Sequence, residues 1–97
     1  MSGQASVTSE PHPQSGQHHR SSGNFSTEGL TGSKFKWSCP QGIVFNVKKD
    51  KSWASDPTIF SDVTNGTITN TYDARSLYIA DPRHASENFT VKVEGID

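Results

Sequence analysis

The stretch Phe89-Thr90-Val91-Lys92-Val93-Glu94 sets three apolar side chains against three polar ones in strict alternation, and Gly95 follows it. A period of two marks a strand with one face buried. A helix, with its period of 3.6, would turn Val91 to the side opposite Phe89 and Val93. The stretch therefore predicts a strand with Phe89, Val91 and Val93 inward and Gly95 as its end.

Working back along the chain, the same period recurs. Phe35, Trp37 and Cys39 alternate with Lys34, Lys36 and Ser38, and Pro40-Gln41-Gly42 stops the run. Ile43, Phe45 and Val47 form the next apolar face, with Asn46 and Lys48 pointing away. Lys49 to Pro57 is turn-like, with Trp53 as its one large anchor, and Thr58 to Val63 reads as a short strand. Asn65-Gly66 between Val63 and Ile68 predicts a tight hairpin of type I′, since both residues accept positive φ. Beyond it, Ile68, Asn70 and Tyr72 share one face, with Ile68 expected in the core, and Thr67, Thr69 and Thr71 share the other, which suits solvent. Asp73-Ala74-Arg75 is a turn, Ser76 to Ala80 a strand with Leu77 and Ile79 inward, and Asp81-Pro82-Arg83-His84 a loop.

The prediction is an all-β chain, a small antiparallel sandwich or barrel of about six strands. Its expected core is Trp37, Phe45, Val47, Ile68, Leu77, Ile79, Phe89, Val91 and Val93, with Cys39 buried as a small hydrophobe.

Ahead of this unit the composition changes. Residues 1–33 hold five apolar residues (Met1, Ala5, Val7, Phe25, Leu30), against 24 in the 64 residues of 34–97. With five Gly, eight Ser, three Gln and two Pro, 1–33 has too little apolar surface to offset its ordering entropy alone. It reads as a Gly/Ser/His-rich N-terminal arm on a β domain of residues 34–97. Phe25 and Leu30 are its spaced anchors. They suit two roles, plugging into pockets of a partner or folding back onto this chain's own domain.

Charge and composition narrow the function. Residues 34–97 carry eight Lys or Arg and eight Asp or Glu, so their net charge is zero. Nucleic-acid binding calls for a clear basic excess, and Lys48-Lys49-Asp50-Lys51 reads as a solvated turn. No apolar run approaches the roughly 18 residues of a membrane span, and the first residues lack the charged and apolar regions of a signal peptide. One cysteine, Cys39, forbids an intrachain disulfide and a zinc site built on thiolates.

Chemistry is equally sparse. His12, His18 and His19 lie in a low-complexity polar tract, and the adjacent His18-His19 have no acidic or thiol partner nearby. His84 stands in a loop beside Arg83, and the turn aspartates Asp50, Asp56, Asp62, Asp73 and Asp81 are spread along the chain. No nucleophile, base and orienting group are brought together by the pattern. The expectation is a non-enzyme with no catalytic residue, metal or cofactor.

A domain of about 60 residues buries only about 60% of its unfolded surface and usually needs a disulfide, a metal or a partner. Small open sheets also leave edges that pair with something. Both point to an assembly. A small β-sandwich with a long polar arm resembles, in general architecture, the decoration or cement proteins of phage and other viral capsids. That resemblance implies a structural protein at the virion surface, a trimer or dimer seated on a shell protein, with the arm extended to neighbouring subunits. The alternative is a carbohydrate- or protein-binding module, adhesin-like or tail-fibre-like, with the arm as linker and Trp53, Tyr72 and Tyr78 as its interface aromatics.

Overall fold

The computed structural model describes residues 4–9, 24–51, 54–83 and 89–97, the first of these segments by its backbone. Among the described residues there are seven strands and no helix: β1 (Gln4–Ser9), β2 (Lys34–Ser38), β3 (Val44–Lys49), β4 (Thr58–Val63), β5 (Ile68–Asn70), β6 (Leu77–Arg83) and β7 (Phe89–Ile96). Every pairing is antiparallel. One sheet has the order β1-β7-β2-β5 and the other β4-β3-β6. Without the arm strand β1, each sheet has three strands, so the all-β sandwich expected from the alternation is the observed architecture.

The core sits between the sheets because the alternation aims one face of each strand inward. Phe35, Trp37 and Cys39 from the β2 end, Phe45 and Val47 from β3, Val63 from β4, Leu77 and Ile79 from β6, and Phe89, Val91 and Val93 from β7 are all buried. Trp37 is the hub. Its ring meets Phe25, Phe35, Phe45 and Phe60 edge-on, at centroid separations of 6.4, 6.4, 6.2 and 5.9 Å. Edge-to-face contacts of this kind add about 0.5–1.5 kcal/mol each beyond the burial itself.

Several local expectations are corrected. Asn65-Gly66 does not close a hairpin, because β4 and β5 belong to different sheets. It is an arch between them. Only Gly66 has positive φ (88°), Thr67 N–H donates to the Thr64 carbonyl at 3.1 Å, and the geometry follows a type II turn rather than type I′. The arch is stitched to the end of β2. Gly66 N–H donates to the Trp37 carbonyl, Trp37 N–H to the Thr67 carbonyl, and Cys39 N–H to Asn65 Oδ1.

That stitching also reverses the faces of β5. Ile68 points outward and is 57% exposed, and Thr69 turns in so that its Oγ1 accepts the Trp37 indole N–H at 2.9 Å. Leaving that buried N–H unpaired costs about 1–3 kcal/mol. Burying Ile68 fully is worth about 1.5–3 kcal/mol. The two terms are comparable, and the three hydrogen bonds that anchor the arch decide between them.

Gly95 does not end the last strand. It lies inside β7 as a point of close approach, where a Cβ would stand 1.8 Å from the Thr31 carbonyl oxygen. Asp81, Pro82 and Arg83 are not loop residues but the end of β6. There the β3–β6 register slips between Val44 and Asn46, and a bulge on an edge strand is where a proline is tolerated. Trp53 and His84 lie outside the described residues, as do His12, His18 and His19.

The arm is likewise more than a tail. Its strand β1 pairs with β7 in the register Gln4↔Glu94 to Ser9↔Phe89, which sets Ala5 and Val7 opposite Val93 and Val91. Residues 24–33 run back over the sandwich. Phe25 forms a bridge with Leu77 of β6, and Ser33 N–H donates to the Ile96 carbonyl at 2.8 Å.

Candidate functional site

Three features could meet a partner: the seat of residues 24–33, the outer face of the three-stranded sheet, and the free edges of both sheets.

The seat is built around Thr27, a buried polar residue at 1% exposure. Its N–H donates to the Ala74 carbonyl at 3.0 Å, its hydroxyl donates to the Tyr72 carbonyl, and it accepts the Ala74 N–H at 3.2 Å. Arg75 Nε meets Glu28 Oε2 at 2.8 Å on the rim. Phe25 and Leu30, on either side of Thr27, pack half-buried against the core cluster. Of the two roles the sequence left open for them, the structure realises the second: they fold back onto their own domain.

On the outer face of the β4-β3-β6 sheet, Asn46 is the centre. It lies between the buried Phe45 and Val47, so it points away from the core. Its Oδ1 accepts the Asp62 N–H at 3.1 Å, and its Nδ2 donates to Asp81 Oδ2 at 3.0 Å. Asp62 and Asp81 both have left-handed φ, 58° and 53°. Each sits where its strand slips register against β3, so one side-chain amide clamps a bulge on either flank. Aspartate tolerates this conformation better than most residues because its short polar side chain bonds locally. The carboxylates are each matched by a cation, Asp62 by Arg83 and Asp81 by Lys48 at 3.8 Å.

Beside them the Tyr78 hydroxyl donates to Asp56 Oδ2. Burial first, and then the Asp56 carboxylate, push the phenol up to about 12. Asp56 is held below the ordinary carboxylate range, by the Lys51 N–H first and by Tyr78 second. The arrangement is a set of matched charges on a sheet face, with neither an unpaired nucleophile nor a base aimed at one.

Of the three expected interface aromatics, Tyr72 and Tyr78 do not share a face. Tyr72 turns toward the core and meets Phe60 edge-on at 6.4 Å, whereas Tyr78 stands on the outer face with its hydroxyl engaged. Trp53 lies outside the described residues. Cys39 is fully buried, with its Sγ 3.9 Å from Gln41 Oε1. Among the described residues no group of three His, Cys, Asp or Glu gathers that could hold a metal ion, and no helix is long and apolar enough to cross a membrane.

Sequence reasoning missed Thr27 and Asn46, the two polar keystones. Asn46 had one readable signal. Pro82 within a β-rich run demands a bulge, and a bulge next to a polar strand residue invites a side-chain clamp. Thr27 had none.

The edges differ in how they are guarded. On β4 the bulge and Asp62 interrupt the edge, and on β6 Phe25 covers Leu77 while Asp81-Pro82 interrupts the far end. The edge strand β5 carries Ile68, the one large hydrophobic residue left exposed among the described residues.

Compared with protein-family models, curated proteins and solved structures, the chain matches none.

Proposed function

We propose that this chain is a structural subunit of a larger protein assembly, of the decoration or cement kind found on viral capsids. In this reading its sandwich seats on a shell and its N-terminal arm fastens to neighbouring subunits. The observation that carries the reading is β1. A six-residue strand, 24 residues ahead of β2 in the chain, adds to the β7 edge through an antiparallel backbone ladder. Strand addition needs a sheet edge and an extended, uncharged segment, and it gives affinity mainly through main-chain hydrogen bonds. The 14 residues between β1 and Asn24 span up to about 46–50 Å when extended, further than the width of a small domain. The same segment can therefore reach a neighbour's sheet. The matched charges of the outer face and the internal use of Tyr72 favour this reading over a sugar-binding one.

The test uses the chain truncated to residues 24–97 and a labelled peptide of residues 1–12. Saturable binding of the peptide, with none for a scrambled peptide of the same composition, is expected. Absence of saturable binding to a folded 24–97 would overturn the fastening role of the arm.

A further inference from the structure

We infer that β5 is a contact between two copies of this chain, pairing antiparallel with its own counterpart about a twofold axis through Ile68. The inference deepens the assembly reading above and rests on a different strand from the one that carries it.

The backbone geometry comes first. Trp37 N–H takes the Thr67 carbonyl at 2.8 Å. Successive strand residues send their backbone groups to opposite sides. Ile68 therefore turns its N–H and C=O away from β2, toward the open edge.

The side chains agree. Ile68 is 57% exposed on the outer side of that edge. A twofold axis through Ile68 lets the two isoleucines exchange both backbone hydrogen bonds and cover each other's side chain. No charged residue occurs between Asp62 and Asp73, so two copies of this segment meet without like-charge repulsion. The nearest repeated charges are Lys36, the register partner of Ile68 on β2, and Lys34, whose ammonium donates to Asn70 Oδ1 at 2.9 Å and so repeats about 14 Å away across the axis. Across the pair the two Lys36 strands lie three strand spacings apart, about 14 Å, beyond a screening length of about 8 Å at physiological salt.

Among the three edge strands whose side chains are described, β5 alone lacks a charge, a bulge or a covering segment. Natural sheets blunt exposed edges with those devices or by keeping the edge strand very short, and β5, at three residues, keeps only the last of these. Pairing there would join two four-stranded sheets into one continuous sheet of eight, β1-β7-β2-β5 followed by its twofold image.

Sedimentation equilibrium of the full chain over a concentration series, beside the variants Ile68→Lys and Ile68→Cys, tests it. The expected result is a monomer–dimer equilibrium that Ile68→Lys weakens about a hundredfold, a factor of about ten for each isoleucine returned to water. Ile68 is already exposed in the single chain, so Ile68→Lys should keep the near-ultraviolet circular dichroism of the native core. Under mild oxidation Ile68→Cys should form a covalent dimer, since directly paired strand residues stand about 5.5 Å apart at Cα, within disulfide range. Thr58→Cys on the β4 edge should not. A monomer at every concentration, a dimer unaffected by Ile68→Lys, or equal cross-linking at positions 58 and 68 would each overturn the β5 contact. None of these outcomes would touch peptide binding by the β7 edge.

Discussion

At the scale of single residues, Thr27 joins two stretches that are far apart in the chain. Its hydroxyl serves both the Tyr72 carbonyl and the Ala74 N–H in a buried setting. Thr27→Val keeps the volume and removes the hydroxyl, which leaves two part-buried backbone groups without that partner. A loss of about 1–3 kcal/mol is expected, read as a fall in the urea midpoint at unchanged m-value. Cleavage by a nonspecific protease should rise first within 24–33. A midpoint within error of wild type would mean that the hydroxyl carries no weight. The contrast with Trp37 shows what single residues reveal in advance. Trp37 was readable as core, because it stands in phase with Phe35 and Cys39. The facing of Ile68 and Thr69 was not, because both are β-branched and suit either side of a strand. The anchoring of the Asn65-Gly66 arch on the end of β2 makes the choice, and it sets Thr69 against the Trp37 indole, 32 positions away in sequence.

At the scale of elements, β7 was the most legible strand and still hid its own tightest contact. Alternation is a local signal, whereas the need for Gly95 arises from the backbone of Thr31 crossing over it. Gly95→Ala would put a Cβ 1.8 Å from the Thr31 oxygen, so β7 and the 31–33 segment must separate. Overpacking of this kind costs about 1–3 kcal/mol. Gly29→Ala is the control, because there a Cβ meets open space and the cost is confined to the positive φ of 87°. Equal effects of the two variants on the urea midpoint would rule out the close-approach role. The β3–β4 connection and β6 carry a separate, pH-dependent link. The Tyr78 phenol is raised from its ordinary 10.0 to about 12, so its contribution is full below pH 10 and lost as pH rises toward 12. The Asp56 carboxylate is lowered from 3.8, so its contribution is present above that value and lost as pH falls below it. Urea midpoints against pH should show Tyr78→Phe flattening the alkaline limb and Asp56→Asn the acid one. Limbs that stay parallel to wild type would mean that the Tyr78–Asp56 bond does not couple to folding.

At the scale of the whole molecule, the composition break at residue 33 and the packing boundary do not coincide. Composition counts apolar residues, and two in ten polar neighbours look like a tail. Packing counts where they land, and Phe25 and Leu30 land on the core cluster while Thr27 is buried between them. Full burial of a large apolar side chain is worth about 1.5–3 kcal/mol. Two half-buried ones together with the Thr27 bonds therefore contribute roughly 3–5 kcal/mol. A unit of this length has a total stability of only about 4–11 kcal/mol at 0.05–0.15 kcal/mol per residue. Two truncations separate the boundaries. The chain 24–97 should unfold cooperatively, with a midpoint below that of the full chain by no more than the single β1–β7 ladder contributes. The chain 34–97 should lose a third or more of its stability, because Trp37 loses its edge contact with Phe25 and the Leu77 edge is uncovered. If both truncations unfold at the same urea concentration, residues 24–33 are a passive tail and the folded unit begins at β2 after all.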